Sequence, residues 1–296
     1  METPIGGVVR RHRMPLLGVI LGLGLLSLSL GAVAQTPAEP GAAPSILAGA
    51  VSSPEGKPLD GIAVSALQHI LGGQKTIPED RGIFLPTTHR MAPSLCRLSS
   101  ELYYERRLFS KKDLEHQKLQ NAGDLGGSGL WYVEVDHDGN RNQSLEEVDV
   151  VAALINRLTS PGVTWTDENQ VDQPLGVNDI LIVAPYNSQV NRLAERLPAG
   201  ARIGTVDKFQ GQEAPVVIYS LATSRPEDAP RGMEFLYSPN RLNVATSRAR
   251  CAVILVASPH LFQPECRSVR QIKLANGLCR FRELATSLAV GTREQA

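Results

Sequence analysis

The stretch from Gly204 to Ser224, GTVDKFQGQEAPVVIYSLATS, places Thr205, Asp207, Gln210 and Glu213 close together between two apolar runs. Hydroxyl, carboxylate and amide groups at that density form hydrogen bonds and balance charge; they do not fill a core. A second polar group, Tyr186, Asn187, Ser188 and Gln189, follows DILIVAP, and a third, PNRLNVATSRAR, precedes CAVILVAS. The third contains Arg241, Arg248 and Arg250, with no acidic residue between Glu234 and Glu265. Guanidinium stays charged at any relevant pH and pairs with phosphate through two N–H bonds, so arginines unmatched by local carboxylates point to an anionic partner.

These groups need a frame that holds them at strand ends. Candidate strands are GIFL (82–85), WYVEV (131–135), DILIVAP (179–185), RIGTV (202–206), PVVIYSLA (215–222) and CAVILVAS (251–258). Several are continuous Val- and Ile-rich runs, the pattern of parallel strands buried on both faces. Helical patterns lie between them: PSLCRLSSELYY, SLEEVDVVAALINRL and NSQVNRLAERL. Ser144 followed by Glu147 predicts a capping box at the start of the second. The alternation predicts an α/β fold with an open, mostly parallel sheet and ligands beyond the carboxyl ends of the strands, after Pro185, Val206 and Ala222. The polar stretch Phe109 to Gly129 reads as a surface excursion.

At 296 residues and 42% hydrophobic the chain can bury a sizeable core. Thirty basic and thirty acidic residues cancel, so any nucleic-acid binding must come from a local basic surface. Cys96, Cys251, Cys266 and Cys279 form no CxxC pair, which argues against a zinc site. Cys266 and Cys279 could form a disulfide should the chain be exported, but the two further, unpaired cysteines argue against a disulfide framework.

The beginning of the chain reads differently. Arg10, Arg11 and Arg13, an apolar stretch from Pro15 to Leu30 and the ending Ala32-Val33-Ala34 fit a signal peptide over 1–34. The apolar stretch is shorter than the roughly 20 residues of a spanning helix, so no stable membrane insertion is expected after cleavage. A Pro- and Ala-rich linker (35–46) follows, then a short β-hairpin pattern (47–66) within an otherwise irregular N-terminal segment. That hairpin resembles the opening of a carboxypeptidase regulatory-like β-sandwich, and the resemblance implies a stub of one.

From Leu67 to Leu284 the motifs, in order, resemble those of superfamily 1B helicases, the nonsense-decay and Okazaki-processing group. TTHRMAP resembles their QYRMHP, VAPYNSQV their TPYxxQ, and TVDKFQGQE and NRLNVATSRAR their motifs V and VI. The resemblance implies that 67–290 is the second, C-terminal RecA-like domain of a two-domain motor, with 291–296 a tail. It further implies that Arg248 and Arg90 are arginine fingers and that Glu213 and Gln210 couple nucleotide to strand. His89 stands where the family stacks an aromatic on the nucleotide, and Ala92 replaces the His of RMHP. Thr205, Asn187, Gln189 and Tyr186 would meet single-stranded nucleic acid. ATP and Mg2+ are implied for the complete motor only, because the single Gly-Lys pair, Gly56-Lys57, is followed by Pro58 and forms no phosphate loop. The expectation is a truncated helicase that lacks the first RecA-like domain and is inactive alone; the alternative is a non-catalytic single-strand-binding module. The leader implies export and the motor implies the cytoplasm, so the two conflict.

One rival pattern is DHDGNRNQSLEE, which places Asp136, Asp138, Asn140, Asn142, Ser144 and Glu147 at calcium-loop spacing. Arg141 takes the place of the turn glycine and a strand precedes the loop, so a helix cap is expected and no metal.

Overall fold

The computed structural model describes residues 71–209 and 211–289. The signal-peptide, linker and hairpin expectations and Gln210 lie outside the described residues. In chain order the elements are β1 (Thr87–Thr88), α1 (Pro93–Tyr103), β2 (Phe109–Ser110), β3 (Lys118–Gln120), β4 (Gly129–Glu134), α2 (Leu145–Leu158), β5 (Thr164–Thr166) and β6 (Asp172–Pro174). There follow β7 (Ile180–Val183), α3 (Asn187–Arg196), β8 (Arg202–Gly204), β9 (Ala214–Ser220), α4 (Met233–Leu236), α5 (Pro239–Thr246), β10 (Ala249–Ala257), α6 (Val269–Leu284) and β11 (Thr286–Leu288).

Six strands form one sheet in the order β11-β4-β10-β9-β7-β8, and every pairing is parallel. The apolar runs form its centre because both faces are covered. Leu181, Val183, Val217, Tyr219, Val253 and Leu255 face one core, with Leu98 of α1, Leu242 of α5 and Phe281 of α6. Their alternating neighbours Ile180, Ile182, Val216, Ile218, Ile254 and Val256 face a second core with α2 and α3. The α/β fold with helices on both faces is therefore as expected.

Several local expectations change. GIFL is not a strand: Ile83 and Leu85 are exposed, and pairing begins only at Thr87. The stretch Phe109 to Gly129 is more than an excursion. Its β3 joins β5 and β6 in a small antiparallel sheet, with Leu114, Leu119 and Leu125 buried. The capping box is half formed: the Ser144 hydroxyl accepts from the Glu147 N–H, but the Ser144 N–H donates to Gln189 Oε1 at 2.8 Å. The calcium-loop pattern disperses, since Asp138 pairs with Arg225 and Asp136 with His260, and the described residues contain no metal-binding cluster. All four cysteines are free.

Candidate nucleotide and nucleic-acid edges

In a parallel sheet all strands share one carboxyl edge and one amino edge, and the candidate residues divide between the two. Thr205 follows β8 and Asn187 follows β7, at the carboxyl edge; Glu213 precedes β9 and Arg248 precedes β10, at the amino edge. The expectation of ligands beyond the carboxyl ends thus covers only one set. Motif-bearing arginines can precede a strand as readily as follow one, and sequence proximity to an apolar run does not say which end they occupy.

The segment Thr205–Glu213 crosses from one edge to the other. Gly204 pairs with Val183, and Val183 with Tyr219, so Thr205 lies level with the end of β9 while Glu213 precedes its start. At about 3.3 Å per residue that separation is about 20 Å along the strands. Val206 and Phe209 anchor the crossing in the core, and Gly211, at φ 82°, adopts a turn that a side chain would strain. Beside it runs α5, which carries Arg241 at its start and leads to Arg248 beyond its end. Three arginines of one short stretch are therefore separated: Arg241 serves the carboxyl edge, and Arg248 and Arg250 the amino edge.

At the amino edge Glu213 is shared. Its Oε2 accepts from Arg90 Nε at 2.5 Å, and its other oxygen pairs with Arg250. Arg90 also donates to the Ser247 carbonyl at 3.0 Å, and Arg250 reaches Glu168 at 3.4 Å. The β9–β10 ladder changes register between Ala249 and Ala252, an irregularity of the kind that re-aims a side chain, and Arg250 lies within it. Burial raises the Glu213 carboxyl pKa, but hydrogen bonds from Arg90 and Arg250 outweigh it and hold the group below its ordinary value. Arg248 differs: half-buried, it has no ion-pair partner among the described residues, and its Nε is buried with no hydrogen-bond partner. Burial and then the charge of Arg90 depress its pKa. His89 is exposed next to this group, and Ala92 is buried with its N–H on the Arg250 carbonyl.

The depressed Glu213 pKa fixes a sign. A carboxyl that is more acidic folded than unfolded stabilises the fold above its unfolded value, near 4.3, and loses that contribution as pH falls through the folded value. Glu213→Gln is expected to lower stability at pH 7 by about 1–2 kcal/mol, discounted because the side chain is a third exposed. The difference from wild type should shrink at pH 3, as read by urea unfolding at both pH values. An equal deficit at both would sink the charge argument.

At the carboxyl edge a cavity of about 390 Å³ is lined by Tyr186, Asn187, Thr205, Asp207, Arg231, Phe235 and Arg241, among others. Asn187 is exposed at the start of α3, whose first turn has no side-chain cap, leaving amide N–H groups free to meet an anion. Tyr186 is mostly buried, its ring 5.4 Å from that of Phe235, and burial raises the pKa of its hydroxyl. Gln189 corrects the expectation: it is fully buried, donating to Ser144 O and Ser220 Oγ, and cannot face a strand. It positions α3. Arg231 and Phe235 were not legible as site residues; the only signal was an aromatic four residues after an arginine in a turn-rich stretch.

Beneath this edge lies a buried polar network. Glu147 Oε2 accepts from the Ser220 hydroxyl at 2.6 Å and from the Ala222 N–H at 2.9 Å, and Oε1 meets His137 Nε2 at 3.1 Å. His137 Nδ1 lies 2.7 Å from Ser224 Oγ. Ser, His and Glu in series resemble a hydrolase triad, but Ser224 and the His137 and Glu147 side chains are fully buried, so no substrate reaches the hydroxyl.

Residues 63–260 match the AAA domain family. The chain is similar to the probable helicase MAGATAMA 3 of Arabidopsis thaliana, 30% identical over 59% of this chain and 22% of the relative. It is also similar to the probable RNA helicase armi of Drosophila melanogaster, at 27% over 58% and 16%, and to the DNA-binding protein SMUBP-2 of Rattus norvegicus, at 28% over 60% and 18%. The chain thus spans about a fifth of the length of these relatives.

Proposed function

The chain belongs to the AAA domain family, and from that premise we propose that it is the second RecA-like domain of an ATP-dependent nucleic-acid motor. In this reading the carboxyl edge holds a single strand through its phosphates, with Thr205 and Asn187 in contact and Tyr186 and Gln189 behind them. The amino edge lends Arg248 and Arg90 to a nucleotide held mainly by another domain. The observation that carries the proposal is Arg248: a half-buried guanidinium with an orphaned Nε, next to two arginines that Glu213 and Glu168 already pair. Such a group fits the oxygens of a terminal phosphate. ATP with Mg2+ would supply the transferring phosphoryl group; Arg248 would offset the charge that develops on it, and Glu213 would fix Arg90 and Arg250 around it. Neither edge contacts base edges by design, so binding would be independent of sequence.

A second reading, a strand-binding module without catalysis, is favoured by the lack of a Gly-x-x-x-x-Gly-Lys loop in the 296 residues. One experiment separates the two. The chain alone is expected to hydrolyse ATP at background rate and to bind a fluorescent single-stranded oligonucleotide with steep salt dependence. ATP-dependent affinity favours the motor domain, and indifference to ATP favours the module. Robust turnover by the chain alone that is lost in Arg248→Ala would overturn both.

A further inference from the structure

The carboxyl-edge cavity has a feature that the strand-binding reading does not require. Two guanidiniums lie over one aromatic ring: Arg231 Cζ is 4.0 Å and Arg241 Cζ 4.1 Å from the centroid of Phe235. Cation–π attraction favours both placements, and each guanidinium keeps N–H groups for an anion. The carboxylate in reach is Asp207, 3.8 Å from Arg241 and largely exposed. Among the described residues Arg231 forms no ion pair, and its guanidinium lines the same wall as Asn187 and Thr205. The cavity therefore presents two guanidiniums and a single exposed carboxylate, Asp207.

We infer that Arg231 and Arg241, pinned on Phe235, form a seat for one backbone phosphate of a single strand, and that Asp207 is a built-in competitor for that seat. The inference rests on the strand-binding reading and adds the residues and the competition. Guanidinium forks match a phosphodiester in shape and charge. When a phosphate occupies the seat, Asp207 is displaced from Arg241. Asp207 belongs to the segment that ends at Glu213, so its release loosens one end of the crossing while the other end stays tied to Arg90 and Arg250.

The test is fluorescence anisotropy of the full chain with fluorescein-labelled dT12. Asp207 is exposed, so Asp207→Asn should fold normally, and removing a competing surface ion pair is expected to tighten binding about two- to fivefold. Arg241→Ala should weaken binding about tenfold and flatten the dependence of log K on log salt by about 0.7, the value for one phosphate contact on a single strand. Phe235→Leu keeps an apolar side chain but removes the ring face, and should weaken binding while leaving the melting temperature near wild type. Unchanged or weaker binding by Asp207→Asn overturns the competitor role, and unchanged salt dependence in Arg241→Ala overturns the seat. If wild type binds dT12 and only Thr205→Ala or Asn187→Ala weakens it, the general reading stands and this inference falls. If wild type does not bind dT12, both fall.

Discussion

Arg248→Ala is expected to leave the fold intact or slightly more stable while removing the function the residue serves. The wild-type guanidinium is half-buried, has an orphaned Nε and stands close enough to Arg90 for the two charges to oppose each other. Truncation removes an unsatisfied donor and that repulsion, costs and gains that together place the stability change between about 0 and +1 kcal/mol. A residue kept for packing would behave oppositely. When the chain is combined with a nucleotide-holding domain, the same substitution should cut hydrolysis by about 10³-fold or more, the range for an arginine that reaches a transferring phosphoryl group. Urea unfolding and steady-state hydrolysis of the combined domains check both halves. A clear loss of stability with unchanged hydrolysis would assign Arg248 to the scaffold.

The other large effect concerns Glu147, where the direction reverses. Its carboxylate is fully buried and satisfies the Ser220 hydroxyl, the Ala222 N–H and His137. Ala222 sits at φ 65°, a backbone conformation that costs a residue with a side chain about 1–2 kcal/mol, and the carboxylate accepts from its N–H there. Glu147→Ala strands three buried polar groups at once and should cost about 3–5 kcal/mol, enough to unfold a marginal domain. Glu147→Gln keeps one oxygen that can take the place of Oε2 and accept from both Ser220 and Ala222, and should cost less. Thermal unfolding of the two variants with Ala222→Gly as a background checks the account: the glycine removes the backbone strain and should recover about 1 kcal/mol. A Glu147→Ala chain as stable as wild type would show that the network contributes nothing.

The apolar strands were legible because a strand buried on both faces leaves an unmistakable run, as in Ile180–Val183 and Ala249–Ala257. The polar clusters were legible as clusters. Their placement was not, because which edge a residue occupies depends on whether its strand lies before or after it and on how far a connecting segment travels. Two helices escaped notice for a common reason. In α5 only Leu242, Ala245 and Thr246 are buried, and in α6 Ala275, Gly277, Leu278 and Phe281, so small and polar residues blur the apolar stripe. The strands β2, β3, β5 and β6, at two or three residues, are too short to show a period. Gln189 misled because an amide at a helix start reads as an exposed binder, whereas here Ser144 and Ser220 from other elements satisfy it.

The crossing segment runs beside α5, tied to the start of that helix by Asp207 and Arg241 and to β10, beyond its end, by Glu213 and Arg250. On the proposed reading, two sites are attached to opposite ends of one such frame. If an anion near Arg248 changes the affinity of the carboxyl edge for a strand by some factor, thermodynamic reciprocity requires the strand to change the affinity for that anion by the same factor. Any such coupling is a single free energy, measurable from either end, and Asp207 is the position at which to test it.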